Sequence, residues 1–199
     1  DLIKDDIYYF SGNEAIEHMC CVASGLDSQV LGEQEILGQF KRSIHTFVEL
    51  GVLKGQLQSL ADKVISIAKA ARTETQIGFN PLSVSGLSFK IVQEIFEDPT
   101  QQQLTIVGAG QMALSTIGNF YDNGIKNINA VNRSKKTLKI NQSLSLETTH
   151  LSQLGTLIQT TDILVTSISS PLPIIGKGLI EQAIKERKNK PMLLIDFGV

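Results

Sequence analysis

The chain has 199 residues, 42% hydrophobic and 19% charged, with 16 Gly and 5 Pro; this excludes disorder and collagen-like sequence and suits one large globular domain or two small ones. Its net charge of −2 supplies no overall basic field for nucleic acid, its two adjacent cysteines, Cys20 and Cys21, give no disulfide framework, and no Cys/His group has zinc spacing. Apolar runs such as Met192 to Ile195 fall far short of the ~18 residues of a membrane span, and no signal-peptide pattern opens the chain, so a cytoplasmic protein with no membrane segment and no metal site is expected.

Residues 1–80 read as helices by periodicity. Asn13 is the expected N-cap of the first, with Glu14 and Glu17 in its first turn. Ala15, Ile16, Met19, Val22 and Ala23 form its apolar stripe, and Gly25 stops it. A second helix runs from about Glu33 to Leu50, with Ile36, Leu37, Phe40, Ile44 and Phe47 on the expected buried side. A third carries Leu57, Leu60, Ala61, Val64, Ile67, Ala68 and Ala71 and ends near Gly78, before a break at Asn80-Pro81.

The pattern then changes. Ser83 to Phe96 reads as helix, although Gly86 inside it costs roughly 1 kcal/mol. Strands are expected at Leu104–Val107, Ile128–Val131, Ile163–Thr166 and Met192–Asp196, with helices up to about Tyr121 and over Leu179–Glu186. Alternating short strands and helices predict an α/β protein: a parallel-sheet, Rossmann-type domain over residues 81–199, preceded by a helical part over residues 1–80. The helical part carries 7 basic against 11 acidic residues and the sheet part 11 against 9, so the sheet half has more attraction for phosphate.

Gly108-Ala109-Gly110-Gln111-Met112-Ala113 is a G-x-G-x-x-A sequence between a predicted strand and a predicted helix. The first Gly permits a tight turn, the second lets amides approach a pyrophosphate, and the small third position lets the helix pack near the sheet. The alternative is a plain tight turn. The second strand ends in Asn132-Arg133-Ser134, followed by Lys135 and Lys136, where an NAD site would place an acid. Arg133 can bond a 2′-phosphate with Asn132 and Ser134 as neutral partners, which favours NADP(H), against the alternative of a solvated basic helix start.

Between the first two helices lie Asp27, Ser28, Gln29, Glu33, Gln34, Glu35 and Gln39, with Gly25 and Gly32 nearby. They read equally as a helix-capping segment or a pocket for a polar small molecule. His18, a single helical His, reads from its surroundings as a partly buried, satisfied residue, and the mid-helix Cys20 and Cys21 as buried and inert.

His18 through Gln39, H-M-C-C-V-A-S-G-L-D-S-Q-V-L-G-E-Q-E-I-L-G-Q, closely resembles the signature stretch of bacterial glutamyl-tRNA reductase. So do Ala71-Arg72-Thr73-Glu74-Thr75 with Ile77-Gly78, Ser83-Val84-Ser85, the turn at Val107–Gly110, Asn132-Arg133-Ser134, and the run from Ser170 to Gly178. The resemblance implies NADPH-dependent reduction of glutamyl-tRNA(Glu) to glutamate-1-semialdehyde, in tetrapyrrole, hence porphyrin and heme, biosynthesis. It implies His18 as the catalytic-site His, with Ser28, Glu33, Gln34, Glu35 and Gln39 lining the glutamyl pocket. It further implies a homodimer formed through a C-terminal domain, and the glutamate-1-semialdehyde aminomutase as a further partner.

Three departures accompany the resemblance. The family's reactive Cys, in an S-T-C-N-R-type segment upstream, has no counterpart here, and the family continues past residue 199; an internal fragment, inactive alone, is therefore expected. The family more often has Gln where Glu35 stands. The acidic balance of residues 1–80 also makes them a poor lone grip for tRNA. Other readings are a shikimate-dehydrogenase-like NADP oxidoreductase and a non-catalytic NADP-binding module; the first has no reason to contain the segment from Gly25 to Gln39.

Overall fold

The computed structural model describes residues 7–75, 77, 83–170 and 172–198. The chain divides into two compact units, Asp1–Val84 and Ser85–Val199.

In the first unit the 3.6-residue periodicity yields α1 (Gly12–Ser24), α2 (Gln34–Glu49) and α3 (Gln56–Glu74). Helix α1 is capped by Ser11, not Asn13, which lies inside the helix. It ends on Gly25 at φ +77°, where the amides of Gly25 and Leu26 donate to the Val22 and Cys21 carbonyls, a Schellman closure that the left-handed glycine permits. The core is small: Ala23, Leu37, Val64 and Ala68, with Met19, Cys20 and Phe40 against them. Ile16, Phe47, Leu57 and Ile67, expected inside, are exposed, because this unit covers a narrower stripe of each helix than its apolar residues span. Helix α3 ends at Glu74; Gly78 and the expected break at Asn80-Pro81 lie outside the described residues.

The second unit takes in α4 (Val84–Ile95) from its second residue on, followed by β1 (Leu104–Val107), α5 (Gln111–Asp122) and β2 (Ile128–Asn132). A hairpin follows, β3 (Thr137–Lys139) with β4 (Ser145–Glu147), then the two-residue β5 (Thr149–His150), α6 (Leu154–Leu157), β6 (Ile163–Thr166), α7 (Lys177–Glu186) and β7 (Leu193–Asp196). Five strands pair in parallel in the order β5-β2-β1-β6-β7. The chain leaves β1 toward β2 and β5, then returns to lay β6 and β7 on its other side, so the strand order reverses between β1 and β6.

Both sheet faces are covered, as the burial of all four residues of β1 requires. On one face Leu104, Ile106, Ile163 and Val165 meet Phe89 and Val92 of α4 and Ile117 and Phe120 of α5, the Phe89 and Phe120 rings packing edge-on at 5.3 Å. On the other, Val107, Val131 and Leu164 meet Leu154, Ile158 and Ala183. The link from β2 to β5 is the β3–β4 hairpin, so Lys135 and Lys136 lead into a strand and not into a helix. Leu138, Ile140, Leu144 and Leu146 of the hairpin pack on the first face, in the position a crossover helix would cover.

Beneath the sheet Asp162, 6% exposed, accepts from Arg187 and Lys190, each at 2.8 Å, and from the Gln103 amide at 3.0 Å. This cluster joins the starts of β1 and β6 to the end of α7. Among the described residues no helix is long and apolar enough to cross a membrane, and no group of three metal-ligating side chains occurs.

Candidate functional site

At the C-terminal edge of the sheet, β1 runs into Gly108 at φ +128°. Its amide donates to the Val131 carbonyl at 2.9 Å, and a Cβ there would lie 2.3 Å from the Ser167 carbonyl oxygen. No other residue fits, because two parallel strands converge at this position. Gly110, the N-cap of α5, is the opposite case: at φ −85° it accepts any side chain sterically, and a Cβ would meet nothing within 4 Å. The first-turn amides of α5, from Gln111 to Ala113, lack intrahelical acceptors, and among the described residues no side chain caps them. Open space over a helix N-terminus at the point where strand order reverses fits a dinucleotide diphosphate. Ala113 is buried against the sheet, as the third small position of the motif requires, while Ala109 and Met112 are half-buried and Gln111 exposed.

At the end of β2, Asn132 Nδ2 donates to the Ser134 carbonyl at 3.1 Å. Arg133 and Ser134 are exposed at the tip of this turn. Next to the reversal point, a cavity of about 260 Å3 opens at the ends of β6 and β7, lined by Thr166, Ile168, Ser170, Leu172, Asp196 and Gly198. Thr166 Oγ1 donates to Asp196 Oδ1, which also accepts the Gly198 amide at 2.9 Å. The Thr166 hydrogen bond, followed by that amide, holds the Asp196 carboxyl below the usual range, so it is an anion at neutral pH. Sequence reasoning passed over this pair; the available signal was an acid at the carboxyl end of a parallel strand.

In the first unit the loop from Gly25 to Glu33 is folded tightly on itself: the Gly32 amide donates to the Gly25 carbonyl at 2.8 Å, and both glycines sit at φ +77°. Arg72 of α3 clamps it, donating from its guanidinium to the Glu33 carbonyl at 2.6 Å and the Gly32 carbonyl at 3.4 Å. Arg72 entered the sequence reading only as part of a matched segment, since nothing local shows that it reaches residues 39 and 40 positions away. Replacing Arg72 by Met keeps the stem and removes the donors; a loss of about 1–3 kcal/mol is expected, with faster hydrogen exchange at the Gly32 amide. Unchanged exchange would show that the loop holds itself.

The clamp leaves the Glu33 carboxyl buried. Burial, then the charge of Glu35, push its pKa up, against a hydrogen bond with Ser28 that lowers it. Ser28, Glu33 and Glu35 are thus brought together. Gln34 is exposed at the start of α2, and Gln39 is exposed one turn beyond Glu35, in a cavity of about 410 Å3 shared with Arg42, Ser43, Thr46 and Phe47. His18 is held by other groups: its ring lies 4.6 Å from Phe10 and edge-on to Tyr8 at 5.3 Å, and its Nδ1 is 3.8 Å from Asp27 Oδ2. Three quarters of the His18 side chain is shielded, leaving part of it open to solvent. Cys20 and Cys21, expected buried, are half-buried, and burial followed by the neighbouring Cys21 pushes the Cys20 thiol up, away from thiolate.

Comparison with known proteins matches the same two regions separately. Residues 1–75 match the family model described as glutamyl-tRNAGlu reductase, N-terminal domain, and residues 90–199 match that of shikimate / quinate 5-dehydrogenase. Curated glutamyl-tRNA reductases of Ruthia magnifica and Vesicomyosocius okutanii are each 38% identical over 200 residues. The chain aligns in full and spans about half (48%) the length of each of these relatives. A solved glutamyl-tRNA reductase from Methanopyrus kandleri is similar over 98% of this chain and 49% of its own, at 28% identity and a TM-score of 0.52.

Proposed function

Because the chain belongs to the glutamyl-tRNA reductase family, with a shikimate/quinate dehydrogenase type of domain over residues 90–199, we propose that it contributes the glutamyl-recognition and cofactor-binding parts of an NADPH-dependent reduction of glutamyl-tRNA(Glu) to glutamate-1-semialdehyde. The observation that carries this reading is the open, uncapped N-terminus of α5 beside Gly108 at the reversal of strand order.

The overall chemistry divides into two steps. In the whole protein a thiolate would take the glutamyl group from the tRNA ribose as a thioester and release the ribose hydroxyl, and a bound nicotinamide would supply the hydride that, with a proton, gives the aldehyde and the free thiol. The α5 amides and the Gly108–Ala113 turn would hold the diphosphate, and Arg133, flanked by Asn132 and Ser134, would take the 2′-phosphate. Glu33, a buried acid with a raised pKa, is suited to the glutamyl ammonium, which would restore its ionised form. Ser28, Gln34, Glu35 and Gln39 complete the polar surround. His18, held by Tyr8, Phe10 and Asp27 and partly open to solvent, would hold or donate a proton at the acyl oxygen. The same reading includes a homodimeric parent protein acting in the cytoplasm and passing its aldehyde to the aminomutase.

The test is the cofactor preference. Arg133→Ala is expected to weaken NADPH binding about 10- to 100-fold, the worth of charge-assisted bonds to a phosphate, and to leave NADH binding nearly unchanged in parallel fluorescence titrations. Equal loss for both cofactors would overturn the NADP assignment.

A further inference from the structure

The turn that carries Arg133 is held by one buried hydroxyl contributed from the far side of the hairpin. Side chains 133–136 are all exposed, so packing does not fix this segment. It borders a cavity of about 360 Å3 lined by Lys135, Lys136, Glu147, Thr148 and Gln153, among others. What fixes it is Thr148, 3% exposed, in the link between β4 and β5. Its Oγ1 accepts the Lys136 amide at 2.8 Å and donates to the Ser134 carbonyl at 3.3 Å, and its own amide donates to the Lys136 carbonyl at 2.8 Å. Asn132 Nδ2 reaches the same Ser134 carbonyl. The backbone that follows Arg133 is therefore tied at Ser134 and Lys136, by the Asn132 side chain and by Thr148.

We infer that Thr148 is a positioning residue for cofactor selectivity, acting through Arg133 by locking the Ser134–Lys136 backbone. The inference rests on the reading that Arg133 takes a 2′-phosphate. An arginine already loses considerable side-chain freedom when it grips a phosphate; a backbone that also moved would dilute the gripping geometry further. Fixing the turn beforehand removes that second loss, and it does so only for a ligand that Arg133 touches. NADH lacks the 2′-phosphate and is indifferent to it. The replacement of a crossover helix by the hairpin is what brings Thr148 to this place, since β3 and β4 return the chain to Lys136.

The experiment is a set of equilibrium titrations of the 199-residue chain with NADPH and with NADH, followed by nicotinamide fluorescence. Thr148→Val keeps the shape and removes the hydroxyl; its NADPH Kd is expected to rise about five- to tenfold, the effect of one to two lost hydrogen bonds, while its NADH Kd moves less than about twofold. Thr148→Ser is expected to restore NADPH affinity, and Thr148→Ala to repeat the split where valine's extra methyl crowds the site. A purely structural role would weaken both cofactors together. Equal loss, or no loss, in both Thr148→Val and Thr148→Ala overturns the inference. Arg133→Ala, measured alongside, separates the two levels: selective loss there with unaffected Thr148 variants leaves the cofactor reading standing and removes Thr148 from it, whereas equal loss there sinks both.

Discussion

Replacement of Gly108 by alanine is expected to lower the stability of the second unit by at least about 2 kcal/mol and to abolish measurable dinucleotide binding. A left-handed φ of +128° strains any L side chain, and the added Cβ would lie 2.3 Å from the Ser167 carbonyl oxygen, a backbone atom that moves only if β6 moves. At about 4–8 °C per kcal/mol for a domain of this size, the melting temperature should fall by roughly 10 °C. Gly110→Ala is the internal comparison. Its φ of −85° is ordinary and its Cβ meets open space, so melting should be nearly unchanged. The methyl would nonetheless stand over the α5 N-terminus and weaken cofactor binding. If Gly110→Ala bound NADPH as well as the parent chain, the diphosphate would lie elsewhere.

The second large effect lies on the other edge of the sheet. Asp162→Ala leaves Arg187, whose side chain is 3% exposed, as a buried and uncompensated cation, and a loss of about 3–5 kcal/mol is expected in urea titrations. Asp162→Ala combined with Arg187→Met removes both charges and should recover part of that loss, a coupling that two independent sites would not show. The acid limb of the stability curve carries the same signature. Burial alone would raise the pKa of Asp162, but hydrogen bonds from Arg187, Lys190 and the Gln103 amide, with the Lys190 charge, outweigh it and hold the carboxyl below its ordinary value. Its contribution is therefore complete above about pH 4 and is lost as pH falls through the lower folded-state value. Asp162→Ala should flatten that limb. A variant within about 1 kcal/mol of the parent chain would show that the cluster is incidental.

How much of this was legible beforehand varies by element. The run Leu104–Val107 is short and rich in β-branched residues, with Thr105 its one hydroxyl among apolar side chains, so a buried parallel strand followed from it directly. Gly25 after an amphipathic stretch announced a helix end, and a Schellman closure is found there. The hairpin was missed because its strands are three residues long and its turn, closed by Asn141 Oδ1 accepting from the Ser143 and Leu144 amides, lies in a run of Ser, Asn and Gln that shows no clear period. In the first unit periodicity marked the apolar stripes of α1, α2 and α3 but not how much of each stripe a neighbour covers, so Ile16, Phe47, Leu57 and Ile67 were misplaced.

What the amino-acid order determined by itself was local: helix periods, strand runs, the glycine turn after β1 and the run of residues that marks the family. These depend on backbone torsions and on neighbours within one or two turns, which the sequence displays. What only the tertiary structure decided was which distant groups meet: Arg72 on the Gly32 and Glu33 carbonyls, Thr166 on Asp196, Thr148 on the turn after Arg133, and Arg187 on Asp162. Those meetings are set by strand order and by how helices and hairpin settle on the sheet. A hydrogen bond or ion pair formed within about 3 Å cannot be read from a separation of tens of residues until the packing has closed it.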